Sequence, residues 1–85
     1  MSVDKAAKPQ PPRTLMQAHD ALVRVRPSSD APLKDWHAFY ERSVALYLEI
    51  AEIDRGHHHE ALYWAERELE KVKEVVVRLR AEKSQ

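Results

Sequence analysis

The sequence contains no cysteine, only one glycine and no long apolar run. Without cysteine the chain forms no disulfide, holds no thiolate zinc site and offers no thiol nucleophile. A single glycine argues against a turn-rich sheet and against a glycine-rich phosphate loop. No apolar run approaches the ~20 residues that cross a membrane, and the N-terminus lacks the apolar core of a signal peptide. We therefore expect a cytoplasmic protein without a membrane partner.

The sequence also lacks a net charge, because fourteen lysines and arginines balance fourteen aspartates and glutamates. Nucleic-acid binders usually carry a basic excess or stripe, so the balance argues against nucleic acid as the partner. A chain of 85 residues allows one small domain with a modest core. Residues 1–13 are rich in proline and poor in apolar mass, which predicts a disordered arm ahead of a single helical domain over residues 14–83.

Three stretches with the apolar period of a helix follow the arm, over about residues 14–26, 32–55 and 57–81. Thr14 and Gln17 fit a capping box that opens the first helix, and Pro27 ends it. The second helix carries two adjacent apolar stripes, which indicates two neighbours and places it centrally. We predict an all-α fold, in which a long antiparallel helical hairpin is covered by a shorter N-terminal helix as in a three-helix bundle.

The third helix carries a predicted seam at alternating spacings of three and four, as in a heptad repeat. The seam consists of Leu62, Ala65, Leu69, Val72, Val76 and Leu79. We expect it to pack on the second helix. The outer half of this helix, from Val72 to Leu79, is predicted to project past the second helix and to lack partners within one chain.

The predicted structural corner between the second and third helices is Asp54, Arg55 and Gly56. Gly56 is expected to adopt the left-handed conformation that ends a helix, and therefore to resist replacement by a β-branched residue. The stretch 55–62 is similar to the corner of a tetratricopeptide repeat, which Gly56 and Ala61 match. Glu49 and Glu68 depart from that pattern and no repeat recurs, so the similarity implies only the hairpin geometry.

A longer stretch, Asp54-Arg55-Gly56-His57-His58-His59-Glu60-Ala61-Leu62-Tyr63-Trp64-Ala65, resembles a family of small actinobacterial proteins of unknown function. The resemblance extends over most of the predicted helical region, residues 15–67. It implies a bacterial cytosolic protein. It implies no activity and no catalytic residue.

Three consecutive histidines, His57, His58 and His59, invite a metal hypothesis. Consecutive helical residues point about 100° apart, so at most two of the three converge on one ion. No nucleophile in the sequence has an evident catalytic partner. We therefore predict no metal, no cofactor and no enzymatic activity.

Five residues of the third helix lie outside the predicted seam or at its outer end. These are Tyr63, Trp64, Val75, Val76 and Val77. Aromatic residues outside a core are enriched at interfaces, although the first helix could instead cover Trp64. We predict that these residues bind another protein or a second copy, as a homodimer. The chain is then a small non-catalytic interaction module, adaptor or regulatory.

Two other functions stay open at the sequence level. One is a metal- or pH-responsive module built on the histidine corner. The other is a weak nucleic-acid binder that uses the N-terminal arm and four arginines. Those arginines are Arg24, Arg26, Arg78 and Arg80.

Overall fold

The computed structural model describes residues 10–83, which form three α-helices and no strand. Helix α1 spans Leu15–Val25, α2 spans Leu33–Ile53 and α3 spans His58–Lys83, with a short 3-10 turn at Arg55–His57. The all-α prediction, a long hairpin with a shorter covering helix, is confirmed. Residues 1–9 of the predicted arm lie outside the described residues. No helix within residues 10–83 is long and apolar enough to cross a membrane.

Helix α1 begins at a hydrogen-bonded cap. The Thr14 hydroxyl accepts a hydrogen bond from the Gln17 backbone N–H at 3.1 Å, as the capping box predicts. The Gln17 side chain accepts from the Arg13 N–H at 2.9 Å, one residue earlier than the motif requires. Helix α1 then buries Leu15 and Leu22 at a spacing of two turns.

Helix α2 packs against both other helices, as its two apolar stripes predict. Small side chains line its contact with α3, because Ser43, Ala51, Ala61 and Ala65 are all at most 4 % exposed. Such residues let two helix backbones approach closely. The buried Ser43 hydroxyl donates to the Phe39 carbonyl at 2.9 Å, so its polar atom is satisfied within α2.

The predicted seam on α3 has the helical period of the buried face but lies on a different side of the helix. Of its six residues only Ala65 is buried, and Leu69 is 42 % exposed. The face that is buried is rotated by roughly 60° toward Trp64. Trp64 is drawn inward because its indole packs on aromatic rings of α1 and α2. The fully buried residues of α3 are Ala61, Ala65 and Val75.

The outer half of α3 is not left without partners. Val75, expected to stay open, is 6 % exposed. It lines a cleft with Trp36 and Tyr40 of α2, because α2 extends far enough to meet it. Val76 is half-buried, and Val77 remains exposed at 65 %.

The predicted left-handed cap at Gly56 is wrong. No described glycine has a positive φ, and Gly56 lies within the 3-10 turn. Helix α2 ends earlier, where the Asp54 N–H donates to the Ile50 carbonyl at 2.8 Å. The chain therefore turns the corner with right-handed backbone, which any residue adopts.

The substitution Gly56→Ala is expected to raise the free energy of unfolding by about 0.4–1 kcal/mol, because it restricts the unfolded chain. No atom outside its chain neighbours lies within 4 Å of the position that a Cβ would take at residue 56. Urea denaturation followed by circular dichroism measures the change. A clear loss of stability in this variant would contradict the right-handed corner and favour a left-handed conformation at Gly56.

Candidate functional site

The carboxylate of Asp54 connects the corner to helix α1. One of its oxygens, Oδ2, accepts a hydrogen bond from the Leu15 N–H at 2.9 Å. The same oxygen lies 3.0 Å from Nδ1 of His57. Leu15 is the first residue of α1, where backbone N–H groups have no partner inside the helix and favour a negative charge. The Leu15 bond and then the His57 bond lower the pKa of Asp54.

The three histidines of the corner have separate surroundings. His57 is half-exposed and pairs with Asp54. His58 is half-buried, and its Nδ1 lies 2.7 Å from the Ala51 carbonyl, so Nδ1 carries a proton and donates it. His59 is exposed and meets the His58 ring edge to face at 5.2 Å. Within residues 10–83 no three His, Asp or Glu side chains are placed to hold a metal ion.

A second polar cluster, formed by His19, Tyr47, Trp64 and Glu68, lies where the three helices meet. Nδ1 of His19 on α1 lies 2.7 Å from the Tyr47 hydroxyl on α2. Both rings contact Trp64 of α3, with ring centroids 5.1 Å away for His19 and 6.3 Å for Tyr47. Trp64 therefore packs on the core and does not form a free surface. Burial of Trp64 by the first helix was the alternative that the sequence left open.

Burial raises the pKa of two groups in this cluster. Burial, assisted by the negative charge of Glu68, raises the pKa of Tyr47 to about 12. Burial likewise raises the pKa of Glu68, while Arg26, Lys71 and Arg67 oppose the rise. The Tyr47 phenol therefore keeps its proton at neutral pH and acts as a fixed hydrogen-bonding group between α1 and α2.

The residues predicted to bind a partner divide into two groups. Trp64 and Val75 pack within the fold, as described above. Tyr63 and Val77 are 53 % and 65 % exposed, and Val76 is half-buried. The Tyr63 ring packs against the guanidinium of Arg67, 5.8 Å away.

On the side of the hairpin that faces away from α1, aliphatic residues are covered by no helix of residues 10–83. We call this surface the open side, and it consists of Val44, Leu48, Leu62, Leu69 and Val76. Leu48 is 48 % exposed and Leu69 is 42 % exposed, while the other three are half-buried. Sequence analysis placed Val44, Leu48, Leu62 and Leu69 on packed helix faces and predicted that Val76 binds a partner. Periodicity identifies an apolar stripe without showing how wide a neighbour covers it.

Helical geometry places the open side opposite α1. On α2, a groove shared with α1 is lined by Leu46, and Leu48 lies about 160° around the helix from it. On α3, Trp64 contacts α1 through His19, and Leu69 lies about 140° around from Trp64. Leu48 and Leu69 thus flank the same uncovered side of the α2–α3 contact.

Arg26, which belongs to the nucleic-acid alternative, packs against two aromatic rings of α2. The guanidinium of Arg26 lies 4.9 Å from the Trp36 ring centroid and 5.7 Å from that of Phe39. Such cation–π contacts stabilise the end of the core between α1 and α2. Arg26 is therefore engaged by the fold.

Comparisons with protein-family models, with curated proteins and with solved structures found no match. The resemblance of residues 54–65 to small actinobacterial proteins stays a prediction.

The pKa of Asp54 is lower in the folded chain than in the unfolded chain, which fixes a pH dependence of stability. Its stabilisation is present above the ordinary aspartate pKa of about 4 and is lost as the pH falls through the folded value. At neutral pH, Asp54→Asn is expected to lower the midpoint of urea denaturation. The difference from the unmodified chain should shrink below about pH 4.

The matched control for this prediction is Glu52→Gln, two residues earlier, whose exposed carboxylate lies 3.4 Å from Arg55. It should change the midpoint little at any pH. A deficit in Asp54→Asn that stays constant down to acid pH would show that the carboxylate charge does not cap α1.

The hydroxyl of Tyr47 is expected to contribute to stability through its bond to His19. The substitution Tyr47→Phe should reduce the free energy of unfolding by about 1 kcal/mol, because it leaves a part-buried imidazole nitrogen without its partner. The control is Tyr63→Phe, because the Tyr63 hydroxyl is exposed and makes a long contact of 3.5 Å to Arg67. This control should reduce the free energy of unfolding by less than about 0.5 kcal/mol. Equal losses in the two variants would contradict the assignment.

Proposed function

We propose that this chain is a small non-catalytic protein–protein interaction module, adaptor or regulatory, that binds its partner through the open side of the hairpin. The observation that carries the proposal is the exposure of Leu48 and Leu69 beside three half-buried aliphatic residues. Contiguous apolar surface of this kind commonly marks an interface. The resemblance to small actinobacterial proteins leads us to propose a bacterial cytosolic setting.

Two exposed apolar residues of α1 support this choice by contrast. Met16 and Val23 are 74 % and 71 % exposed, and both belong to that one helix. Isolated apolar residues are normal on a protein surface. The open side instead draws its five residues from two adjacent helices, so a partner can bury them together.

Charged residues border the open side and supply the polar rim of an interface. On α3, the exposed Glu66 lies one turn from both Leu62 and Leu69. The exposed Lys73 lies one turn from both Leu69 and Val76. Interfaces of transient complexes combine an apolar centre with such a rim. The exposed Tyr63 and Val77 extend the surface along the outside of α3.

The titratable groups favour a non-catalytic role. Among the described residues, clear pKa shifts occur at Asp54, Tyr47 and Glu68. Asp54 caps a helix and Tyr47 bonds to His19 within the fold. Glu68 lies against Tyr47 at the edge of the core. These groups all have structural surroundings that account for their shifts.

A pH-responsive module is the second candidate. The contact between His57 Nδ1 and Asp54 Oδ2 at 3.0 Å favours it, because Asp54 also holds the first residue of α1. His57 therefore lies against the same carboxylate that binds the start of α1. This candidate requires partner binding to change with the charge of His57.

A photo-crosslinking amino acid placed at Leu69 tests the interaction proposal in living host cells, with the same residue at Val23 as the matched control. Both positions are exposed on helices, but only Leu69 belongs to the open side. We expect a discrete crosslinked species at position 69 and none at position 23. Equal crosslinking at the two positions, or none at either, would contradict docking through the open side.

A further inference from the structure

We infer that a second copy of this chain covers the open side, with α3 of each copy packed antiparallel about a two-fold axis near Leu69. The inference rests on the proposed function, because it names the partner of the same surface. Leu62, Leu69 and Val76 stand seven residues apart, two helical turns each, and so form one straight row on α3. Leu69 lies at the centre of the row.

A row with this symmetry is complementary to itself. In an antiparallel pair centred on Leu69, that residue meets its own copy, and Leu62 meets the partner's Val76. Reversal of one helix exchanges the two ends, so both ends make the same contact. A two-fold contact closes on itself and leaves no open end for a fibre.

The charges beside the row determine its direction. Glu66 and Lys73 are exposed and lie on the same flank of the row, since they are also seven residues apart. In the antiparallel register, Glu66 lies opposite the partner's Lys73, and the symmetry repeats this pair. A parallel pair about a two-fold axis would place this flank of the two helices on opposite sides of the contact, so Glu66 would not meet the partner's Lys73. Complementary charges of this kind set the orientation of paired helices.

The polar rim is consistent with the same register. Lys73 Nζ lies 3.3 Å from a Glu70 carboxylate oxygen within its own helix, one turn from Leu69. The exposed Tyr63 and Val77 lie six residues before and eight residues after Leu69, and they are 53 % and 65 % exposed. The antiparallel register brings Tyr63 to nearly the same height along the pair as the partner's Val77.

Sedimentation velocity of the full chain, from micromolar to hundreds of micromolar, tests the inference. We expect a concentration-dependent dimer. The substitution Leu69→Glu places two carboxylates together on the axis and should raise the dissociation constant by at least about a hundredfold. The control Val23→Glu adds the same charge on the outside of α1 and should leave the dissociation constant unchanged. Far-ultraviolet circular dichroism verifies that both variants fold.

Charge reversal tests the register. Glu66→Lys and Lys73→Glu should each raise the dissociation constant about tenfold, since each replaces two attractive pairs by two repulsive ones. An equimolar mixture of the two variants should recover a tight heterodimer, because each lysine again faces a glutamate. A mixture no tighter than the separate variants would overturn the antiparallel register.

A monomer at every concentration overturns the second copy as the partner. The proposed function then has its own test, because a crosslink from position 69 to a different protein would still support an interaction module. A dimer that Leu69→Glu leaves intact also overturns the inference, since its interface lies elsewhere.

Discussion

The close antiparallel packing of α2 against α3 is the interaction on which the rest of this structure depends. Small residues at their contact, Ser43 and Ala51 on α2 and Ala61 and Ala65 on α3, allow two long helices to lie side by side. The 3-10 turn that joins them is three residues long, so the two helices must run in opposite directions. The position of α1 follows from this hairpin, because the corner supplies the carboxylate that binds its first residue.

The length of α1 then decides which surface remains uncovered. Eleven residues span roughly 16 Å, whereas the 21 residues of α2 and 26 of α3 span roughly 31 and 39 Å. One short helix covers one side of the hairpin only in part, and no helix of the described part of the chain covers the other side. The aliphatic residues of the open side are thus a consequence of the architecture, and we propose that binding makes use of them.

The architecture could be predicted from the sequence because its signals are local. Thr14 and Pro27 delimit α1, and the apolar period of α2 continues without interruption from Trp36 to Ile50. The rotation of α3 could not be predicted, since it depends on how Trp64 packs against His19 and Tyr47 from distant parts of the chain. Periodicity predicts the spacing of the residues on a buried face, but tertiary contacts determine which side of the helix is buried.

The corner shows the same limit. A lone glycine between two helices is usually a left-handed cap, and that rule predicted the wrong conformation for Gly56. The function of Asp54 had no sequence signal, because its partner Leu15 lies 39 residues away. The candidate surface could be found in part, since Val76 and Val77 were predicted to bind. Leu48 and Leu69 were placed in packed faces and emerged only from the structure.

The absence of cysteine permits one direct measurement of the central claim, that the open side of α3 meets the open side of a second copy. The variant Leu69→Cys places a single thiol on the inferred two-fold axis, and Val23→Cys places one on the outside of α1. Under mild oxidation, the account predicts rapid disulfide-linked dimers for Leu69→Cys and slow ones for Val23→Cys, as followed by non-reducing electrophoresis. Equal rates of crosslinking in the two variants would contradict it.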